Sequence, residues 1–176
     1  ATTHDITVGY RYLRERGNDR RHNEIIATGH TTPTVRFDNA TDAHSVYVDD
    51  RIAIGKWRIT PGVRFEHIET ADNDKALPSL NVAYLLTPDL TLFGNYNTSF
   101  GPVQNIQMNS QTAANPLRPE IAKTTELGAR WQSRQVRAEI TAFKMRFDNQ
   151  ILQVPGLVPA TFRNIGATNH EGIETA

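Results

Sequence analysis

From Ser45 to Ile68 the chain alternates strictly about a tight turn at Gly55-Lys56. Trp57, Ile59, Val63 and Phe65 fall on one parity, and Arg58, Thr60, Arg64 and Glu66 on the other. Successive side chains of a strand point to opposite faces, so this hairpin has one apolar face and one charged face. The pattern recurs along the chain. Ile6, Val8, Tyr10 and Tyr12 oppose Asp5, Thr7, Gly9 and Arg11, and Leu80, Val82, Tyr84 and Leu86 oppose Asn81 and Ala83. Leu127, Ala129 and Trp131 oppose Glu126, Gly128 and Arg130, while Val136, Ala138 and Ile140 oppose Arg137 and Glu139. This patterning predicts roughly eight strands, near 4–16, 43–54, 57–68, 79–87, 90–100, 123–132, 136–147 and 161–176, and no convincing helix.

These strands are longer than the five or six residues usual in globular sheets, and match the ~9–11 residues of a strand crossing a bilayer at ~45°. Their connections alternate. Gly55-Lys56, Thr87-Pro88-Asp89 and Ser133-Arg134-Gln135 are tight turns, whereas the links near 17–42, 69–78, 101–122 and 148–160 are long and rich in Asn, Thr, Gly, Pro and charge. Transmembrane barrels have this rhythm, with short periplasmic turns and long extracellular loops. Trp57 follows one tight turn and Trp131 precedes another, which puts both at one membrane interface. The expected fold class is therefore all-β: an antiparallel up-and-down meander of about eight long strands within a transmembrane β-barrel.

Two places break the alternation. Beyond Ala142 the order inverts, with Phe143, Met145 and Phe147 apolar beside Lys144 and Arg146, which predicts a β-bulge near Ala142 or an exit from the bilayer there. Asp50 sits on the apolar parity between Val48 and Ile52, and is placed near the rim. The last strand, from Thr161, alternates poorly.

Composition narrows the class. Of 176 residues 38% are hydrophobic, and no run approaches the ~18 of a membrane helix, whereas barrel strands are only half apolar. The 19 basic residues balance the 19 acidic ones, so no basic stripe marks the chain for nucleic acid. Cysteine is absent, which removes disulfides, thiol nucleophiles and thiolate metal sites. The chain starts at Ala1 without a secretory leader and stops within a predicted strand, and is expected to be a piece of a larger protein.

The polar face carries the candidate chemistry. An arginine facing lipid at mid-membrane costs about 2–4 kcal/mol, so Arg11, Arg58, Arg64, Arg130 and Arg137 are expected to face the lumen. Guanidinium forks match carboxylate or phosphate, which suits an anionic ligand. The competing reading is an internal network, since Arg64 and Glu66 are two apart on one face. His44, Asp49 and Asp50 invite an enzymatic reading, but adjacent strand residues point to opposite faces, and His44 stands ~17 Å from Asp49. His67 beside Glu66 fails as a metal pair for the same reason. HExxH, paired CxxC, GxSxG and phosphate-loop motifs are all missing, so no enzyme is expected.

Asn115-Pro116-Leu117-Arg118-Pro119-Glu120 followed by Thr125-Glu126-Leu127-Gly128, the stretch from Asn164-Ile165-Gly166 to Gly172-Ile173-Glu174, and Thr60 to Glu66 resemble recurrent segments of the TonB-dependent outer-membrane receptors. Gly9 to Glu15, Trp57 with Ile59 to Glu69, Leu77-Pro78, Leu80-Asn81-Val82 and Ser99-Phe100-Gly101 with Val103-Gln104 are similar to the branch that imports ferric citrate. The stretch from Arg16 to Thr41 departs from it. The resemblance implies a 22-stranded barrel in the outer membrane of a Gram-negative bacterium, of which residues 1–176 form a partial barrel domain without the plug. It implies ferric citrate or a related anionic iron chelate as ligand, with Arg11 and Arg64 matching two arginines that hold citrate carboxylates. Iron would travel in the chelate, so neither cofactor nor protein metal ligand is implied, and TonB would be engaged through a missing N-terminal region. The rival is a self-contained eight-stranded barrel serving as anchor or surface-binding module. It requires the strands near Thr7 and Ile173 to pair, which the fragment reading forbids.

Overall fold

The computed structural model describes residues 1–22, 24–31, 35–69, 74–157 and 160–176. In chain order the elements are β1 (Thr2–Arg21), β2 (Glu24–Ile25), β3 (His30–Thr31), β4 (Val35–Ile54), β5 (Trp57–Ile68), β6 (Lys75–Leu85), β7 (Leu90–Gly101), α1 (Asn105–Met108), β8 (Glu120–Gln132), β9 (Arg137–Asp148), β10 (Ile151–Gln153), β11 (Phe162–Asn164) and β12 (Thr168–Thr175). One eight-stranded antiparallel sheet runs β1-β4-β5-β6-β7-β8-β9-β12. Among the described residues β1 and β12 are its two edges and do not pair, so the small closed barrel is ruled out. The three tight turns lie where the alternation puts them. Gly55 carries φ +55°, the left-handed conformation that a two-residue hairpin turn demands.

The sheet is apolar outward. Ile6, Val8, Leu127 and Ile173 are 65%, 69%, 66% and 71% exposed, whereas the few buried apolar side chains, Ile68, Leu77, Leu117 and Ile151, cluster toward the long-loop end. Ile68 and Leu77 lie on the polar parity, beneath the loops. A sheet whose large apolar side chains stand free on one face, with polar groups on the other, is the pattern of a barrel wall with lipid outside and a polar lumen inside. At the short-turn rim Trp57 packs on Tyr84 with ring centroids 4.7 Å apart, and Trp131 shares that rim opposite Leu90.

Three expectations are corrected. The link near 17–42 is largely strand: β1 and β4 pair from Thr2↔Ile54 to Arg21↔Val35, far beyond the lipid band. Alternation was unreadable there because both faces of that tall hairpin are wet. The segment from 161 is two elements: β11 pairs with β10 in a separate small hairpin, and β12 begins only at Thr168. Parts of three of the four long links, at 23, 32–34, 70–73 and 158–159, lie outside the described residues. Finally, of the two alternatives for the inversion beyond Ala142 the bulge is excluded, because the register of β9 with β8 is continuous from Ile121↔Asp148 to Gln132↔Arg137, and the exit from the bilayer stands.

Strand tilt explains the inversion instead. One ladder row runs Ile54–Trp57–Tyr84–Leu92–Ala129–Ile140. Ile54 and Trp57 flank their tight turn, yet Ile140 is three residues beyond Arg137, the first paired residue after the β8–β9 turn. With the tight turns level in one membrane plane, rows climb from β4 toward β9. Lys144 and Arg146 are seven and nine residues past Arg137, a rise of roughly 17 and 22 Å at 45° tilt, so Arg146 stands near the far edge of a ~25 Å apolar band and the Lys144 ammonium reaches toward it along its extended stem.

Candidate functional site

Arg11 and Arg64 both project from the polar face. Ladder rows place them as neighbours: Arg11↔Ser45↔Glu66 is one row, and Gly9↔Tyr47↔Arg64↔Leu77 is the next on that face. Two strand spacings and one step along the strand separate their Cα atoms by roughly 12 Å. That span suits two guanidinium groups converging on one multivalent anion.

Their partners differ. Arg11 is exposed, and among the described residues no side chain pairs with it. Arg64 Nε lies 3.1 Å from Glu66 Oε1, an ion pair, but the N–H is not aligned for a hydrogen bond. Glu66 Oε1 meanwhile accepts from Ser45 Oγ at 3.3 Å. The contact therefore neutralises Arg64 without using its donors well.

The other lumen arginines are committed elsewhere. Arg58 donates to the carbonyls of Gly55 and Trp57 at 2.9 and 2.8 Å, which ties down the turn. Arg130 donates to Glu139 at 2.6 Å across the β8–β9 ladder and lies 5.2 Å over the Phe93 ring. Arg137 stands beside the short turn. An internal network thus accounts for Arg130 fully and for Arg64 in part.

Beneath Arg64 the polar face holds a cavity of about 470 Å³ lined by Tyr47, Asp49, Arg64, Ser79, Asn97 and Ser99. Its floor is open because Gly62 has no side chain: a Cβ there would stand 2.8 Å from Ser79 Oγ. Asp49 Oδ1 is buried with no hydrogen-bond partner, and lies 4.0 Å from Arg51 Nε. Asp50 is on the opposite, outer face, where His4 Nδ1 is 2.7 Å from its Oδ2. Asp49 and Asp50 therefore share no site. His44 belongs to the outer face too, 2.7 Å from Tyr10 Oη, and faces the His67 ring at 6.5 Å. His67 pairs with Asp74 at 2.6 Å rather than with Glu66.

Sequence reasoning overlooked Tyr47, Ser79 and Asn97. Their parity was the available signal, because each lies on the same face as Arg64. Tyr47 is the aromatic that breaks the apolar run Val46, Val48 onto the polar side.

The loop 102–119 folds over this end. Its single helical turn α1 docks on the β1–β4 hairpin through Asn105 Nδ2 donating to Glu15 Oε1 at 2.9 Å. Asn39 Nδ2 donates to Asn105 O and Asn109 Oδ1 at 3.2 and 2.8 Å. A second polar cavity of about 430 Å³ lies under the clasp, lined by Glu15, Asn18, Phe37, Asn39 and Asn105. A wall with two arginines on one face, and an amide-held loop docked at its long-loop end, offers a polar anion two guanidinium groups.

Comparison with known proteins agrees with this architecture. The family described as TonB dependent receptor-like, beta-barrel matches residues 1–176. The chain is 26% identical over 165 residues to a probable TonB-dependent siderophore receptor, PiuA, of Acinetobacter baumannii, covering 78% of this chain and 22% of that protein. Among solved structures it resembles the unliganded ferric citrate transporter FecA at 35% identity and a TM-score of 0.79, over 99% of this chain and 29% of that one. It also superposes on the siderophore receptor PirA of Pseudomonas aeruginosa with a TM-score of 0.77 at 21% identity, over 98% of this chain and 32% of that one. The chain spans less than a third of each of these relatives.

Proposed function

Because the chain belongs to the TonB-dependent receptor-like β-barrel family, we propose that it is one arc of an outer-membrane importer for an anionic iron chelate, ferric citrate or a close relative. The observation that carries this reading is that, on one lumen face, Arg11 has no side-chain partner among the described residues and Arg64 has only a poorly aligned contact with Glu66, while Arg58 and Arg130 are bound internally. Citrate carboxylates are planar acceptors that a guanidinium fork meets bidentately. The 35% identity to a ferric citrate transporter supports that ligand over those of other siderophore receptors, which fit the same fold at lower identity.

On this reading the chelate enters from the long-loop side and its carboxylates engage Arg11 and Arg64. The 102–119 loop holds it against the wall. Iron is cargo, coordinated by citrate oxygens, and needs no protein ligand or cofactor. Energy for release comes from TonB, engaged through the plug-bearing part of the receptor.

The test is ferric citrate binding to the full-length receptor. A charge-assisted hydrogen bond is worth about 1.5–3 kcal/mol, so Arg11→Ala and Arg64→Ala should each weaken affinity by roughly 10- to 100-fold. Unchanged affinity in both variants would assign the arginines to the internal network, and preferential binding of a catecholate chelate would replace the ligand.

A further inference from the structure

The outer face of the sheet carries two features that the import reading leaves unused, and they meet. The first is a groove of about 590 Å³ on the apolar face, running from Trp57 past Leu92, Gly94 and Leu127 to Tyr96 and Thr125. It exists because Gly94 presents no side chain between Leu92 and Tyr96. A Cβ at Gly94 would stand 3.0 Å from Leu127 Cδ2, so any larger side chain there intrudes on it.

The second is a group of cations at the upper end of that groove. Thr125, which closes the groove, is directly opposite Lys144, and Lys123 is directly opposite Arg146. All four lie on the lipid-facing parity; strand tilt lifts Lys123 and Arg146 near the loop-side edge of the apolar band, and the Lys144 ammonium extends toward that edge from just below. Asp148 binds two of these cations, Lys123 Nζ at 3.3 Å and Arg146 Nε at 2.9 Å. Glu171 faces Lys144 in the ladder, yet among the described residues neither makes an ion pair. The cluster therefore keeps a net positive charge, with the Lys144 ammonium unpaired.

A continuous apolar groove that ends under surplus cations at a bilayer interface has the shape and charge of one amphiphile. We infer that this face is a binding site for a net-anionic, phosphate-bearing lipid of the loop-side leaflet, with an acyl chain along Gly94 and Leu127 and the headgroup phosphate at Lys144 and Lys123. The cations draw the phosphate electrostatically, and burial of the chain against Leu92 and Leu127 holds the tail. A free phosphate ion would meet the same cations but leave the groove unfilled. The inference rests on the membrane placement of the barrel and is independent of which chelate the lumen takes.

The test uses the full-length receptor, delipidated in a zwitterionic detergent and titrated with phosphatidylglycerol, and separately with phosphatidylcholine and inorganic phosphate, with retention read by native mass spectrometry. Retention of phosphatidylglycerol is expected at a lower concentration than phosphatidylcholine, and should weaken about tenfold in a Lys123→Gln/Lys144→Gln variant. Gly94→Leu, which leaves every charge in place, is expected to weaken it as well. Both variants are checked for folding by the heat-dependent gel shift of intact barrels, with Lys144→Gln alone as the milder substitute if the double variant misfolds. Equal retention in wild type and variants overturns the site. Full competition by inorganic phosphate, or indifference to Gly94→Leu, overturns the lipid in favour of an anion on the rim.

Discussion

Tyr47 lies across Gly9, the residue directly opposite it in the β1–β4 ladder, so closely that a Cβ at position 9 would overlap the tyrosine ring. The arrangement repeats on the same polar face. Phe93 covers Gly128 and Phe143 covers Gly172, each in a directly opposed pair. An aromatic laid over a glycine restores the contact that the missing side chain gives up, and it fixes the register of the pair. Gly9→Val is expected to destabilise the full-length barrel by about 1–3 kcal/mol through overpacking. Combining it with Tyr47→Ala should recover part of the loss. Thermal unfolding of the two variants checks this, and no recovery would mean that Gly9 is required for another reason.

Glu66 competes with any anion for Arg64, at an Nε to Oε1 distance of 3.1 Å. Glu66→Gln keeps the acceptor for Ser45 Oγ but removes the charge. Ferric citrate affinity is expected to rise by roughly fivefold, the worth of about 1 kcal/mol. Isothermal titration decides between this and a structural role for the pair, for which affinity would stay level or fall.

The clasp on α1 depends on Asn39, whose amide donates to both Asn105 O and Asn109 Oδ1. Losing two neutral hydrogen bonds costs about 1–3 kcal/mol locally. Amide exchange over 105–111 should therefore speed up in Asn39→Ala by roughly tenfold. The same variant should release bound chelate faster, read by stopped flow.

The outer-rim cluster titrates in a defined direction. The hydrogen bond from Arg146, reinforced by Lys123, holds the Asp148 carboxyl below its usual value, against a smaller opposing effect of burial. A depressed folded value contributes stability above the ordinary carboxylate range, and that contribution is lost as pH falls through the depressed value. For an exposed pair it amounts to about 0.2–1 kcal/mol. Asp148→Asn is thus expected to be slightly less stable than wild type at neutral pH and indistinguishable from it in strong acid. Denaturant midpoints measured at both pH values test the sign.

Much of this architecture is local and was legible along the chain. Trp57, Ile59, Val63 and Phe65 share a face because strand periodicity is two, whatever the strand pairs with, and Gly55-Lys56 turns tightly because of its own backbone preferences. Arg11 and Arg64 fell on the lumen face by that same parity. Above the membrane the signal vanished. The upper halves of β1 and β4 are wet on both sides, so nothing in their composition distinguished strand from loop.

What the sequence by itself determined was which residues share a face, where the hairpins turn, and that the apolar face is outside. Only the tertiary structure decided which arginines are spoken for, because partners such as Glu139 for Arg130 lie on a neighbouring strand at a register set by the whole ladder. It also showed that Lys144 and Arg146 are carried toward the far edge of the apolar band by strand tilt, where a bulge had been one expectation. Height in a membrane is a property of the assembled sheet, and no single strand encodes it.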